Sequence, residues 1–531
     1  MSVLRSVLYV LISAFTLVLG PLVWLIFRII YGTKGRSVSK VTNPLLLQSA
    51  TSLAKKIRAR EVTAEAVMEA FIARAREVNT IINAIVAERY SDALEEAKAV
   101  DRVLSQKTIP EEYSVERKPL LGVPLTVKEA FAWKGMPNSS GLVSRKDVVA
   151  DHDSPAVHNL KQAGMIPFAS TNVSELCMWF ESANKVYGRT KNAYDDNRIV
   201  GGSSGGEGCI LSSGASLMGV GSDIGGSIRM PAFFNGVFGH RPSKDVVPNE
   251  GQHPPATGGQ IALLATGPMC RYAEDLLPAL KIMAGPGAAK LKLNTKVDIS
   301  KVRVFSMDDD GGSLLALDHL GRMCGAAAES IHLHLMKYSL EMWSAKMAAG
   351  AGTKFACFMA RGEESGKKVN CFLEFLKWLV RCSSHTLPAI GLGMAEVFTP
   401  DNDPNIPKLL TMLDALHKEI VDLLGDNGVL LYPSHPCPAP YHNHPILTPF
   451  NFTYTAIFNA LALPVTQVPL GLSKEGLPLG LQVVAAPYQD HLTIAVAKEL
   501  EKGFGGWASP GGDRGATTGA ENGQELKDKS S

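Results

Sequence analysis

Serine and lysine are the residues best placed to do chemistry, set in two glycine-rich blocks and one apolar run. GGSSGGEG occupies 201–208 and GSDIGGSIR occupies 221–229, so Ser203 precedes Ser227 by twenty-four positions. A serine hydroxyl is a weak nucleophile until a base takes its proton. No histidine lies near either block, and the nearest, His240, reads equally well as a satisfied residue beside the core. Lys128, in GVPLTVKE at 122–129, offers another base. In an apolar surround its ammonium loses solvation, its pKa falls and the neutral amine becomes available. The glycines before Ser227 let several N–H groups face one carbonyl, which is an oxyanion nest. Two readings of these residues stand side by side. One is a Ser-Lys hydrolase; the other is a lysine snorkelling beside a strand end, with glycine loops serving as turns.

Rival motifs fail on their context. GSSGG at 202–206 formally matches GxSxG with Ser204 at its centre, but Ile199-Val200 is too short an apolar approach for a nucleophile elbow. GVGSDIGG at 219–226 lacks both the GxGxxG spacing and an acidic ribose partner. The sequence has no HExxH and no Cys/His cluster, so neither metal nor cofactor is expected.

The elements that must position these groups follow an α/β rhythm. Residues 45–108 read as helices from their apolar spacing. Residues 118–131 read as a strand and turn delivering Lys128 and Glu129. A helix ending near Gly164, an apolar run over Met165–Ala169 and a polar loop at Ser170–Asn172 come next. CILSSGASLMGV at 209–220 reads as a buried helix and strand joining the two blocks. Within 454–490, two strand-like runs flank a glycine-rich turn, and a helix over His491–Lys502 packs back. No internal repeat divides 45–505, and 506–531 is expected to be a tail with little to bury.

The 531 residues carry 53 Lys+Arg against 51 Asp+Glu, mixed along the chain, which argues against nucleic acid as a partner. Eight scattered cysteines without a CxxC pair favour a reducing compartment. Sequons at Asn138, Asn172 and Asn451 do not decide the matter. Ser6–Phe27 is an uncharged run of 22 residues, about 30 Å as a helix. This predicts a transmembrane anchor over 6–27 and a linker over 28–44. A signal peptide is the rival, with a shorter apolar core. Arg28, Lys34, Arg36 and Lys40 on the C-terminal side predict a cytoplasmic catalytic domain.

GVPLTVKE (122–129), GGSSGGEG (201–208), GSDIGGSIRMPAFFNGVFGHRPS (221–243) and GLPLGLQVVA (476–485) together resemble the amidase signature family in order and spacing. The resemblance covers roughly 45–505 and, with the expected anchor, points to the membrane-bound fatty-acid amide hydrolase branch. It implies a single large α/β/α domain around a mixed β-sheet, preceded by an N-terminal transmembrane helix. It assigns Lys128 as base, Ser203 as a bridging serine preceded by a cis peptide bond, and Ser227 as nucleophile. The amides of Ile224, Gly225, Gly226 and Ser227 correspond to the oxyanion hole. Ser204 is expected to support this network. Asp223 and Arg229 form either a loop-ordering pair or a structural one without substrate contact. Ser222 stands where threonine is common and Met230 where an aromatic is frequent, which bears on the pocket lining.

The implied activity is hydrolysis of fatty-acid primary amides and N-acylethanolamines through an acyl-enzyme, with no cofactor. The implied partners are a lipid amide and a lipid bilayer, not nucleic acid, and a homo-oligomer is left open. The alternatives are a membrane-tethered amidase or esterase for short or aromatic acyl groups, and a non-catalytic membrane interaction protein. FLEFLKWLV at 372–380 predicts one helical face of Phe372, Phe375, Leu376 and Leu379 flanked by Lys367, Lys368 and Arg381. Such a face dips into a leaflet or packs as an ordinary helix.

Overall fold

The computed structural model describes residues 22–512 other than 24, 33, 308–328, 351, 363–364 and 399–402. Its strands are β1 (Ile85–Glu88), β2 (Pro124–Lys128), β3 (Ile166–Thr171), β4 (Ala183–Asn184), β5 (Gly188–Arg189), β6 (Met218–Asp223), β7 (Phe238–Arg241), β8 (Ala265–Cys270), β9 (Arg303–Met307), β10 (Glu329–Ile331), β11 (Gly428–Pro433), β12 (Val465–Leu472) and β13 (Pro478–Ala485). Among the described residues, eleven of these lie in one sheet in the order β1-β3-β2-β6-β8-β7-β12-β13-β11-β9-β10. The sheet is mixed: β3, β2 and β6 run parallel, β6 through β11 alternate antiparallel, and β11, β9 and β10 run parallel again. β2, β3, β6 and β8 are buried along their whole length, as strands covered on both faces must be. The expected α/β domain around a mixed sheet is what these residues form.

The helices before β2 arise where the apolar spacing predicts them. In the Ala64–Ile82 helix, Thr63 caps the N-terminus by accepting from the Ala66 amide at 3.0 Å, and Val67, Phe71, Ala75, Val78 and Ile82 are buried. The short edge strand β1 lies between this helix and the next, inside the stretch expected to be wholly helical. Four residues are too few to interrupt a helical pattern visibly. At the other end, β12 and β13 pair antiparallel and the Asp490–Phe504 helix packs back on β12. The packed body continues past 505: Trp507 is buried and its indole N–H donates to the Ser212 carbonyl at 3.0 Å. Residues 513–531 of the expected tail lie outside the described residues.

The expected transmembrane anchor is corrected. Residues 6–21 and 24 of the run over 6–27 lie outside the described residues. Among the described residues no helix is long and apolar enough to cross a membrane. What is described of this region is a short helical stretch within 22–31 that docks on the domain through aromatic rings. Phe27 meets His444 edge-on at 5.2 Å, Tyr31 stacks on Tyr441 at 5.4 Å, and the Tyr31 hydroxyl donates to the His442 carbonyl. The single-pass topology, the cytoplasmic placement derived from it, the bilayer as a partner and the membrane-bound qualification of the family branch fall with the anchor. The 372–380 face is also altered. In the Cys371–Leu379 helix, Phe375 stacks with Trp378 and packs inward towards Leu142, Leu176 and Phe358. Phe372, Leu373, Leu376 and Leu379 are exposed.

Candidate active site

Two parallel strands, the third and fourth of the eleven, bring their carboxyl ends close together. β2 and β6 are paired with Val127 opposite Val220, so Lys128 at the end of β2 comes close to Ser222, which is still paired with Thr266 of β8. Parallel α/β sheets gather their polar groups at such carboxyl ends. Lys128 is fully buried, and its Nζ donates to Ser203 Oγ at 2.7 Å and to Ser222 Oγ at 2.9 Å. Burial drives its ammonium below the ordinary lysine range, while Cys177, Asp223 and Glu207 nearby pull the other way. Burial raises the Glu207 carboxyl to about 8, against hydrogen bonds from Thr126 at 2.7 Å and Thr171 at 2.9 Å. A protonated Glu207 leaves less negative charge to hold a proton on Lys128.

Ser203 sits just before the Gly205–Ser212 helix, and the Gly202–Ser203 peptide is cis. Gly206 is held so closely that a Cβ there would lie 2.4 Å from the Asn172 amide nitrogen, so any side chain would push the serine block off the β3 end. Ser204 is fully buried, with Oγ 3.4 Å from both the Ser222 amide nitrogen and the Ser222 carbonyl oxygen. Its backbone amide donates to the Ser227 carbonyl at 3.2 Å and ties the two blocks together. Among the described hydrogen bonds, none joins the Ser203 and Ser227 hydroxyls directly. Ser227 is 7% exposed, against 1% for Ser203 and 0% for Lys128, which makes it the member of the three nearest to solvent.

The four amides ahead of and including Ser227 are each aimed by a bond to the preceding carbonyl. Asn459 Nδ2 donates to the Asp223 carbonyl at 2.9 Å, Trp343 Nε1 to Ile224 at 3.0 Å, Thr455 Oγ1 to Gly225 at 2.7 Å, and the Met230 amide to Gly226 at 2.8 Å. The N–H groups of Ile224, Gly225 and Ser227 have no protein acceptor among the described hydrogen bonds. The Gly226 N–H is engaged: it donates to Asp223 Oδ1 at 2.7 Å. Gly226 has φ +119, and a Cβ there would meet Thr455 Oγ1 at 1.9 Å, so the turn admits only glycine.

Asp223 and Arg229 form a fully buried pair at 3.0 Å. Burial alone would raise the Asp223 carboxyl; Arg229, Arg241 and the Asn459 amide outweigh it and hold the group well below the usual carboxylate range. Arg229 is used up inside the protein, donating also to Gln482 Oε1 at 2.7 Å, Asn459 Oδ1 at 2.5 Å and the Thr455 carbonyl at 2.9 Å. Met230 is buried with Phe180, Ile199, Phe233 and Phe234.

The structure therefore brings Lys128, Ser203, Ser204, Asp223, Ile224, Gly225, Gly226, Ser227 and Arg229 into one locality. His240 is elsewhere engaged, bonded to Thr466 at 2.9 Å and Asp490 at 3.1 Å. Thr455, Asn459 and Trp343 carried no motif and were missed; Gln482 lies within GLPLGLQVVA but nothing in that motif marked it as an acceptor for Arg229. Glu207 had a signal, being the one charge in a glycine helix. Among the described residues no group of His, Cys, Asp and Glu is arranged to hold a metal ion.

A strand-borne buried lysine and two serines on glycine turns stand together on one mixed α/β sheet, and the class of protein follows from its relatives. The amidase family model matches residues 66–306 and 357–494, and the chain belongs to the amidase family. It is 52% identical to fatty-acid amide hydrolase 2-A of Danio rerio over 518 residues, 93% of this chain and 96% of that one. It is also 52% identical to fatty-acid amide hydrolase 2 of Homo sapiens over 487 residues, 89% of this chain and 92% of that one. A solved fatty acid amide hydrolase shares the fold with TM-score 0.69 at 23% identity, over 86% of this chain and 85% of that one. The protein is an amidase, a hydrolase of amide bonds.

Proposed function

We propose that this amidase hydrolyses fatty-acid amides, both N-acylethanolamines and primary amides, to a free fatty acid and an amine, with Ser227 as nucleophile. The observation that carries the mechanism is the 2.7 Å bond from Lys128 Nζ to Ser203 Oγ in a fully buried surround. Neutral Lys128 takes the Ser203 proton as Ser203 takes that of Ser227, whose hydroxyl turns towards Ser203 to close the relay. Ser227 Oγ attacks the amide carbonyl, and the oxygen that gains charge is met by the Ile224, Gly225 and Ser227 amides. The Gly226 amide serves instead to hold the turn on Asp223. The relay returns the proton to the leaving nitrogen, because an amide anion is too poor a leaving group to depart unprotonated. Water then attacks the acyl-enzyme with the same pair assisting. Ser204, Asp223 and Arg229 maintain the geometry without touching substrate.

The fatty acyl preference is supported by the two relatives at 52% identity, both named fatty-acid amide hydrolase 2 enzymes. The test is hydrolysis of an amide series from about two to about twenty acyl carbons, since each buried methylene is worth roughly 0.8 kcal/mol. Ser227→Ala is the paired control. Rates that climb with chain length and vanish in the control support both parts. Activity confined to short or aromatic acyl amides discards the lipid substrate and keeps the chemistry, while an active Ser227→Ala discards the nucleophile.

A further inference from the structure

Glycines at 225 and 226 leave the oxyanion turn without conformational preferences of its own. Its shape is therefore imposed from outside. In a trans peptide the carbonyl of one residue and the N–H of the next point in opposite directions. Fixing the Ile224 carbonyl thus aims the Gly225 N–H, and the group that fixes it is the indole of Trp343 at 3.0 Å. Trp343 comes from the Ser339–Ala348 helix, which packs against the Thr453–Ala460 helix carrying Thr455 and Asn459. Its ring meets Phe452 edge-on at 5.0 Å, and a Cβ built on Gly225 would lie 3.5 Å from both rings. Trp343 lies between the two stretches that match the amidase family, 66–306 and 357–494, so this donor is supplied by a segment outside the family's shared pattern.

We infer that Trp343 is a positioning residue for amide hydrolysis: its indole N–H aims the Gly225 amide at the oxyanion formed on Ser227 attack. The inference rests on the reading of Ser227 as nucleophile. Asn459, Thr455 and the Met230 amide hold the neighbouring carbonyls from buried positions, whereas Trp343 is only partly buried. Losing its N–H leaves the 224–225 peptide as the one unit of the turn free to rotate.

The experiment compares native enzyme with Trp343→Phe, which retains an aromatic ring and removes the donor. Because the effect is on a group used in the transition state, kcat falls about 10- to 100-fold while KM is unchanged. Affinity for an acyl trifluoromethyl ketone, which forms a tetrahedral adduct with the nucleophilic serine, falls by the same factor. Affinity for the product fatty acid is unaltered. If Trp343→Phe does not fold, benzothienylalanine at 343 replaces the ring N–H by sulfur at nearly constant shape and gives the same readout. Unchanged kcat and ketone affinity overturn the inference, as does a raised KM with kcat retained, which would make Trp343 only a wall. Either result with an inactive Ser227→Ala leaves the nucleophile standing, whereas an active Ser227→Ala removes the reading beneath it.

Discussion

In the proposed mechanism Lys128 must do two things that oppose each other in water: give up its ammonium proton and stay within reach of a hydroxyl. Full burial lowers its pKa and so favours the first, and the strand end with Ser203 and Ser222 provides the second. As base it must be neutral, so kcat/KM is expected to rise with pH through its depressed pKa and to level off above it. A profile that does not rise with pH on the acid side contradicts the assignment. Lys128→Ala should lower kcat on amides by about 10²- to 10⁴-fold, the usual worth of a positioned base. Esters should suffer less, since their leaving group needs less protonation. Glu207 has the opposite sign. Its folded pKa, about 8, lies above the ordinary 4.5, so its contribution to stability is full below 4.5 and is lost as pH rises to about 8. Urea titrations of native protein and Glu207→Gln should therefore diverge across that window, by at most about 1.4 kcal/mol per pH unit.

At the scale of elements, the glycine turn over 224–227 is a segment shaped almost wholly by its neighbours. The Asp223–Arg229 pair closes it from below, and both charges are inaccessible. Arg229→Met should cost about 3–5 kcal/mol in chemical denaturation, because it removes the hydrogen-bonded cation paired with a buried carboxylate. The Thr453–Ala460 helix closes the turn from above. Gly226→Ala is incompatible with it on two counts, the positive φ and the Thr455 Oγ1 contact. Its expected outcome is a fold-retaining protein with kcat reduced about 10²-fold or more, measured against an unchanged circular dichroism spectrum.

For the whole molecule, the sheet is the device that collects residues from distant segments. Lys128 arrives on β2, Asp223 on β6, and Gln482, which accepts from Arg229, on β13. Among the described residues the seven cysteines are free, so nothing there depends on a crosslink. The melting temperature is accordingly expected to be the same with and without a thiol reductant. The Trp507 anchor is a more sensitive point. It is buried against Ser212, directly behind the helix that follows Ser203, and Trp507→Ala should cost about 3–5 kcal/mol.

The chain's own pattern of residues was enough to specify the α/β alternation, the strand carrying Lys128, the two glycine-serine blocks and the antiparallel pair near the C-terminus. These are local properties: apolar periodicity, glycine turns and a short order of motifs survive being read one residue after another. The run over 6–27 shows the limit of that reading. Length and hydropathy alone predicted an anchor, but whether the described part of such a run serves as a span or as a docked segment depends on what it meets, and Phe27, with Tyr31 just beyond the run, meets aromatic rings of the domain. The same holds at the site. Nothing in the sequence links Trp343, Thr455 or Asn459 to residues 223–225, because a hydrogen bond across more than a hundred positions leaves no local trace. The sequence determined which candidate groups stand in the lysine strand and the two glycine-serine blocks; only the tertiary structure decided where the turn's amides point, since glycines carry no preference and their direction comes from side chains folded in from elsewhere.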